Sequence, residues 1–378
     1  MINIFQPSLG QDELDALKEV FESNWIGPGP KTKQFEEQFS KFISTDRNNI
    51  MMINSCTEGM FQVLDYLDLQ EGDEVIIPTI SFVGAANAVI ANGGTPVFCD
   101  VDYRSLNATA EDIMKKITNR TKAVLLIHYA GWACEMRPII KLCDENGICL
   151  IEDQACSVAT TYKGQPTGTL GDFGVWSFDS MKILVTGDGS IIHAKDPDAL
   201  AEIKTRSYLG LLSQSGYSNT EDQKWWEYDI SYPGRRSVVN DIISAIGLVQ
   251  LSRLEDFIER RKQIHEYYDE LLEDLEQVQT PLPIYKSELG DRESSYYMYW
   301  IQLNNEDARD KLAAHLKEND IYTTFRYYPL HLVKYYDQYD QQLLQAEKAA
   351  NTTLCIPLHQ MLKDEEVEYI VEKIRSFV

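Results

Sequence analysis

Four short segments of this chain carry residue types that could do chemistry together. Asn54-Ser-Cys-Thr-Glu-Gly59 follows an apolar run and precedes a helical pattern. The Cys56 backbone N–H and the hydroxyls of Ser55 and Thr57 could there meet an anion at a helix N-terminus. Ser55 or Thr57 could equally be an ordinary helix cap. Phe82 sits just past the next apolar run, where an aromatic either joins the core or covers a planar ring. Asp153 ends the run Ile148–Glu152, and a carboxylate buried there is costly without a partner unless it caps a helix. Lys182 lies between Ser177-Phe-Asp-Ser-Met and Ile-Leu-Val-Thr-Gly-Asp-Gly189, although a lone lysine is usually surface decoration. In combination the four are what pyridoxal phosphate requires. A lysine forms the Schiff base, a carboxylate keeps the pyridine nitrogen protonated, an aromatic stacks on the ring and a loop takes the phosphate.

The elements that must position these residues alternate. Ile50–Asn54, Glu74–Pro78, Pro96–Asp100, Ala123–Ile127 and Ile148–Glu152 read as buried strands, with Trp176–Phe178 and Ser190–Ala194 after them. Helical patterns separate them near Glu58–Leu67, Val83–Ala91, Glu111–Ile117 and Arg137–Asn146, after two N-terminal ones at Asp12–Ser23 and Lys31–Phe42. Such alternation predicts an α/β fold with a mostly parallel sheet covered on both faces, and ligands at the carboxyl ends of its strands. Asn240 to Leu275 reads as one long or kinked helix, followed by a smaller α+β unit with a strand at Tyr297–Leu303 and helices near Arg309–Lys317 and Asp364–Ser376. The expected division is residues 1–250 as the large cofactor-binding domain and 251–378 as the small one.

At these residues the chain resembles the DegT/DnrJ/EryC1/StrS sugar aminotransferases of the fold-type I pyridoxal-phosphate superfamily. The resemblance runs nearly end to end, through Trp25-Ile-Gly-Pro-Gly-Pro30, Asn54-Ser-Cys-Thr57, Pro78-Thr-Ile-Ser-Phe-Val83, Glu152-Asp153, Gly171-Asp-Phe-Gly174, the step from Ser177 to Lys182, and Thr186-Gly-Asp-Gly189. It implies an aspartate-aminotransferase-like fold with a seven-stranded sheet and a smaller C-terminal α+β domain. It also implies Lys182 as the Schiff-base lysine and proton shuttle, Asp153 at the pyridine nitrogen, and Phe82 on the ring. Thr57, the Cys56 N–H and Ser177 would hold the phosphate. The family completes that site with an Asn from the neighbouring subunit; Arg236 stands there in this chain, so a homodimer with shared sites is implied. Many relatives read Glu-Asp-Ala-Ala-Gln or -His, the last residue lying near the cofactor's 3′-oxygen; here Cys156 occupies that position. Trp25, Gly27, Arg235, Arg326 and His331 are the corresponding substrate-binding candidates.

The resemblance implies that L-glutamate gives its amino group to an anionic keto-sugar, for lipopolysaccharide or a related glycan. The acceptor reads best as a nucleotide-linked 4-keto-6-deoxyhexose, with a nucleotide-free keto-sugar acid such as 8-oxo-3-deoxy-octulosonate as the alternative. Dehydratases of this fold carry histidine in place of the lysine, and Lys182 argues against them. A nicotinamide oxidoreductase lacks its G-x-G-x-x-G, since Gly168, Gly171 and Gly174 are wrongly spaced. A non-catalytic regulator of the same fold is the remaining reading. Composition limits the partners. Among 378 residues, 35 Lys+Arg against 59 Asp+Glu leave a net charge of −24, which disfavours nucleic acid and anionic membranes. No apolar run approaches the ~18 residues of a membrane helix. Seven irregularly spaced cysteines and no basic-then-apolar leader fit reduced thiols in a cytoplasm. The cofactor and both substrates are anions, so Lys31, Lys33, Lys182, Arg235, Arg236 and Arg326 are the expected lining of a locally basic cleft.

Overall fold

Short β-branched runs bounded by turn residues form the strands of one central sheet, and the amphipathic stretches between them form its cover. The computed structural model describes residues 1–212, 228–281, 292–339 and 342–377. The strands are β1 (Ile50–Ile53), β2 (Glu74–Pro78), β3 (Thr95–Cys99), β4 (Thr121–Ile127), β5 (Cys149–Gln154), the two-residue β6 (Thr161–Tyr162) and β7 (Gln165–Pro166), β8 (Phe173–Trp176) and β9 (Ser190–Ala194). Seven of these make the main sheet in the order β1-β9-β8-β5-β4-β2-β3. Strand β9 runs antiparallel to both neighbours, and the remaining pairings are parallel. This is the expected seven-stranded, mostly parallel sheet. Its strands read as near-continuous apolar runs because helices bury both faces.

Helices α1 (Gln11–Glu22), α2 (Pro30–Phe42), α3 (Cys56–Tyr66), α4 (Val83–Ala91), α5 (Ala110–Met114), α6 (Met136–Asn146) and α7 (Pro197–Arg206) accompany the sheet. One expectation needs correction, and a second, the long or kinked helix from Asn240, is resolved in favour of the kink. The strand read at Trp176–Phe178 ends at Trp176. Beyond it the Phe178 N–H donates to the Gly189 carbonyl at 2.9 Å, and the Phe178 carbonyl accepts from Thr186 N–H at 2.8 Å. Phe178 is apolar because it anchors this loop against Phe35 and Phe39, rather than because it continues a strand. The stretch from Asn240 to Leu275 is two helices, α8 (Asp241–Ser252) and α9 (Leu254–Leu272). Between them Arg253 leaves helical geometry (φ −106°, ψ 2°), and its guanidinium bonds Glu13 and the Ser8 carbonyl.

After α9 come β10 (Arg292–Glu293), which joins β6 and β7, β11 (Tyr299–Gln302), α10 (Glu306–Glu318), α11 (Leu344–Thr352), β12 (Thr353–Ile356) and α12 (Asp364–Arg375). Strands β11 and β12 pair antiparallel. A separate apolar cluster, including Ile264, Tyr268, Ile301, Leu312 and Ile370, holds these elements together. The main core also reaches into this region through Tyr297, Trp300, Leu330 and Cys355, so the C-terminal elements are packed onto the sheet side that carries Lys182. Among the described residues, no helix is long and apolar enough to cross a membrane.

Candidate active site

The carboxyl ends of β1, β2, β5 and β8 converge on one cavity of about 480 Å³. Its walls include Cys56, Thr57, Phe82, Asp153, Ser177, Lys182 and Arg326, residues far apart in the sequence. Local structure explains each placement. Ser55 is the cap of α3, its side chain accepting the Glu58 N–H at 3.1 Å, which leaves Cys56 and Thr57 in the first turn with their backbone facing the cavity rim. Phe82 precedes α4 and is 44% exposed in this cleft, although a core aromatic would be covered. Gly84 lets α4 come close: a Cβ there would lie 3.0 Å from the Phe82 ring and 3.2 Å from Thr57 Oγ1.

Asp153 is the fifth residue of β5 and fully buried. One carboxylate oxygen accepts the Ala155 N–H at 2.9 Å, while Oδ2 has no hydrogen-bond partner among the described residues. Burial pushes its pKa up, against the opposing pull of the Ala155 N–H and of the positive charge of Lys182. A buried carboxylate oxygen aimed at nothing is expensive, and an N–H⁺ group in the cleft would satisfy it. The loop that carries Lys182 is closed by the Lys182 N–H, which donates to the Asp179 carbonyl at 2.9 Å. Gly189 completes it at φ +136°, a left-handed conformation that L side chains rarely adopt. Lys182 Nζ lies 5.1 Å from the centroid of the Tyr297 ring, and Phe5 stacks on that tyrosine at 5.2 Å.

Other expected residues are placed elsewhere. Cys156 is buried behind the cleft, its sulfur 3.8 Å from the Tyr327 hydroxyl. Trp25 and its neighbours border a second cavity, closed by Asp241, whose carboxylate takes the N–H groups of Lys31 and Thr32. Gly27 is tied to the same place through its carbonyl, which accepts the Asp241 N–H at 3.1 Å. His331 is buried, with Nδ1 2.7 Å from Thr79 Oγ1 and Nε2 3.4 Å from Glu347, and does not line the Lys182 cleft. Arg235 and Arg236 are exposed, the first 3.4 Å from Glu58 and the second over the Tyr208 ring. Lys31 pairs with Glu19 at 2.6 Å. Among the described residues, the cations lining the cleft itself are therefore Lys182 and Arg326; Arg326 sits over Phe5 at 4.8 Å and meets the Met181 sulfur at 3.1 Å. Sequence reasoning did not single out Tyr297 and Tyr327. The only signal for Tyr327 was its place beside Arg326 in an unusually aromatic segment.

The residues present fit pyridoxal phosphate. The unpaired oxygen of Asp153, the open face of Phe82, the amine of Lys182 and the polar first turn of α3 surround one space. Comparison with known proteins agrees. Residues 7–375 match the DegT/DnrJ/EryC1/StrS aminotransferase family. The chain is 45% identical over 379 residues to the dTDP-4-dehydro-2,3,6-trideoxy-D-glucose 4-aminotransferase of Saccharopolyspora spinosa, covering 100% of this chain and 97% of that protein. Its fold is similar to that of the aminotransferase TlmJ from Streptoalloteichus hindustanus, with a TM-score of 0.93 and 44% identity over 100% and 98% of the two chains. It is also similar to the pyridoxal-phosphate form of a sugar aminotransferase from Streptococcus pneumoniae, with a TM-score of 0.90 and 26% identity over 100% and 98%. The chain belongs to the DegT/DnrJ/EryC1/StrS family of pyridoxal-phosphate-dependent sugar aminotransferases.

Proposed function

We propose that this enzyme moves the amino group of L-glutamate onto the 4-keto carbon of a nucleotide-linked deoxyhexose, supplying an amino sugar for a surface glycan. The observation that carries the acceptor is the end-to-end identity of 45% to an enzyme named for a dTDP-linked 4-dehydro sugar. Nothing comparable favours the nucleotide-free octulosonate. Lys182 in a cleft beside an unpaired Asp153 oxygen argues for catalysis over a purely regulatory role.

Bound pyridoxal phosphate supplies an electron sink that makes the hydrogen on the donor's Cα labile. The chain's own residues do the rest. Lys182 would hold the cofactor through its amine and, once free, would carry a proton between Cα of the donor and C4′, the carbon attached to the ring. Asp153 keeps the pyridine nitrogen protonated through its free oxygen. Phe82 covers one ring face, and Thr57, the Cys56 N–H and Ser177 bind the phosphate. Arg326 is the cleft cation for an anionic substrate group. The protein acts as a homodimer in which each copy lends Arg236, with Arg235 beside it, to the other's site. This also accounts for a guanidinium left over a tyrosine ring instead of on a carboxylate. Residues 1–250 hold the cofactor, and 251–378 complete the substrate side.

The test is a panel of keto-sugars with glutamate, following release of 2-oxoglutarate. Turnover of nucleotide-linked 4-keto sugars supports the reading. Turnover confined to free keto-sugar acids, or to ketones derived from amino acids, would overturn it.

A further inference from the structure

We propose that Tyr327 is a positioning residue whose phenol donates a hydrogen bond to the 3-oxygen of the bound pyridoxal ring, a contact for which the Cys156 thiol is poorly suited. The proposal rests on reading the cleft as a pyridoxal phosphate site. The covalent structure of the ring narrows the search. Its nitrogen stands opposite the carbon that joins the lysine, the 3-oxygen is attached beside that carbon, and the phosphate arm leaves from the other flank. With Asp153 at the nitrogen, Lys182 at the joining carbon and the phosphate directed to Thr57 and Ser177, the oxygen faces the flank between Lys182 and Asp153.

Three side chains feel the charges of both those residues, Cys56, Cys156 and Tyr327, and Cys56 lies in the first turn of α3 on the phosphate side. Cys156 is a weak candidate. Burial pushes its thiol up to about 11, so it stays protonated, and a thiol is a poor donor. Tyr327 is better suited. It lines the cleft, its ring centroid lies 5.9 Å from that of Phe82, and its hydroxyl reaches to 3.8 Å from the Cys156 sulfur. That sulfur is its only hydrogen-bond partner among the described residues, so the strong donor has only a weak acceptor. Burial pushes the phenol up as well, which keeps the proton that a donor needs. The other nearby phenol, Tyr297, lies against Lys182 and has no such position toward Asp153.

The experiment is a pH titration of the visible absorption of the holoenzyme and of Tyr327→Phe loaded with pyridoxal phosphate. A donor on the 3-oxygen stabilises its negative charge and makes the neighbouring lysine-derived nitrogen easier to deprotonate. Losing it should raise the titration midpoint by about one pH unit. Affinity should also fall about tenfold for pyridoxal phosphate and not at all for its 3-deoxy analogue. Cys156→Ala, which keeps the phenol, should leave the midpoint in place. An unmoved midpoint in Tyr327→Phe, equal losses for the two ligands, or an upward shift in Cys156→Ala each overturns the proposal. In all three cases a visible band that depends on Lys182 still upholds the site. Absence of that band from the wild-type protein overturns both readings.

Discussion

Lys182 Nζ rests 5.1 Å from the centroid of the Tyr297 ring, so the reactive cation lies over an aromatic face and not against a carboxylate. An ion pair would hold the ammonium charged and in place; a ring face attracts it by only about 0.5–2 kcal/mol and lets it leave. The Tyr297 hydroxyl is buried, and Lys182 is the side chain beside it that favours its ionised form, so its removal leaves no other described group unpaired. Tyr297→Phe should keep turnover within about threefold of wild type and leave the melting temperature unchanged or higher. Tyr297→Ala opens a cavity beside Lys182 and should cost about 3–5 kcal/mol of stability. Urea unfolding and initial rates on the two variants check both points, and a large loss of rate in Tyr297→Phe would assign the hydroxyl a role in proton movement.

Asp153 sets function against stability. In the cofactor-free protein its pKa is raised by burial, so the folded state holds the proton more tightly than the unfolded chain. Stability therefore falls as pH rises from the unfolded carboxylate value through the folded one, and stays lowered at neutral pH. Asp153→Asn removes that dependence. The cofactor-free variant should be more stable than wild type at pH 7.5 by about 1–3 kcal/mol, and turnover should fall by about a hundredfold or more. Thermal melts at pH 5 and 7.5 on both proteins provide the comparison. A variant less stable than wild type at both pH values would show that Oδ2 has a partner.

The sheet was legible because its physics is local. Val75-Ile-Ile77 closed by Pro78 can only be a short buried strand, and α4 was read at its observed bounds, Val83–Ala91, from a small-residue run between Phe82 and Asn92. The residues at strand ends follow from that order, and Thr57, Phe82, Asp153, Ser177 and Lys182 line one cleft. What escaped depends on closure between distant segments. Tyr327 meets Cys156 across 171 positions, and the Trp25 loop is drawn to Asp241 across 210. No local period encodes such meetings. Helix α11 escaped for another reason: Ala346, Ala349 and Ala350 bury it through small side chains, which leave little apolar pattern.

His331, expected at the substrate, lies outside the Lys182 cleft and packs against the loop after β2. Its ring and its backbone N–H both engage Thr79 Oγ1, three residues before Phe82. Burial pushes its pKa down, against the carboxylate of Glu347, so the ring favours its neutral form. His331→Ala should lower stability by about 1–3 kcal/mol while KM for the keto-sugar stays within about threefold. A tenfold rise in KM with unchanged stability would return His331 to the substrate site.

Two further histidines should govern acid stability. Burial holds both His193 and His359 down to about 4, and neither ring has a carboxylate within bonding distance among the described residues. His193 Nε2 meets Thr45 at 3.3 Å, whereas no described side chain bonds the His359 ring, which has the Asn3 backbone beside it. Each is neutral when folded and takes a proton near 6.5 when unfolded, so the unfolded chain binds more protons between about pH 6.5 and 4. Stability is therefore complete above that window and lost as pH falls through it, by about 2 kcal/mol per histidine at pH 5. The urea midpoint should drop between pH 7 and pH 5 in the wild-type protein. His359→Gln should flatten that slope by about half of the combined effect, because it removes one of the two groups that must charge. A wild-type midpoint that holds steady from pH 7 to pH 5 would mean that these rings are already protonated in the folded protein.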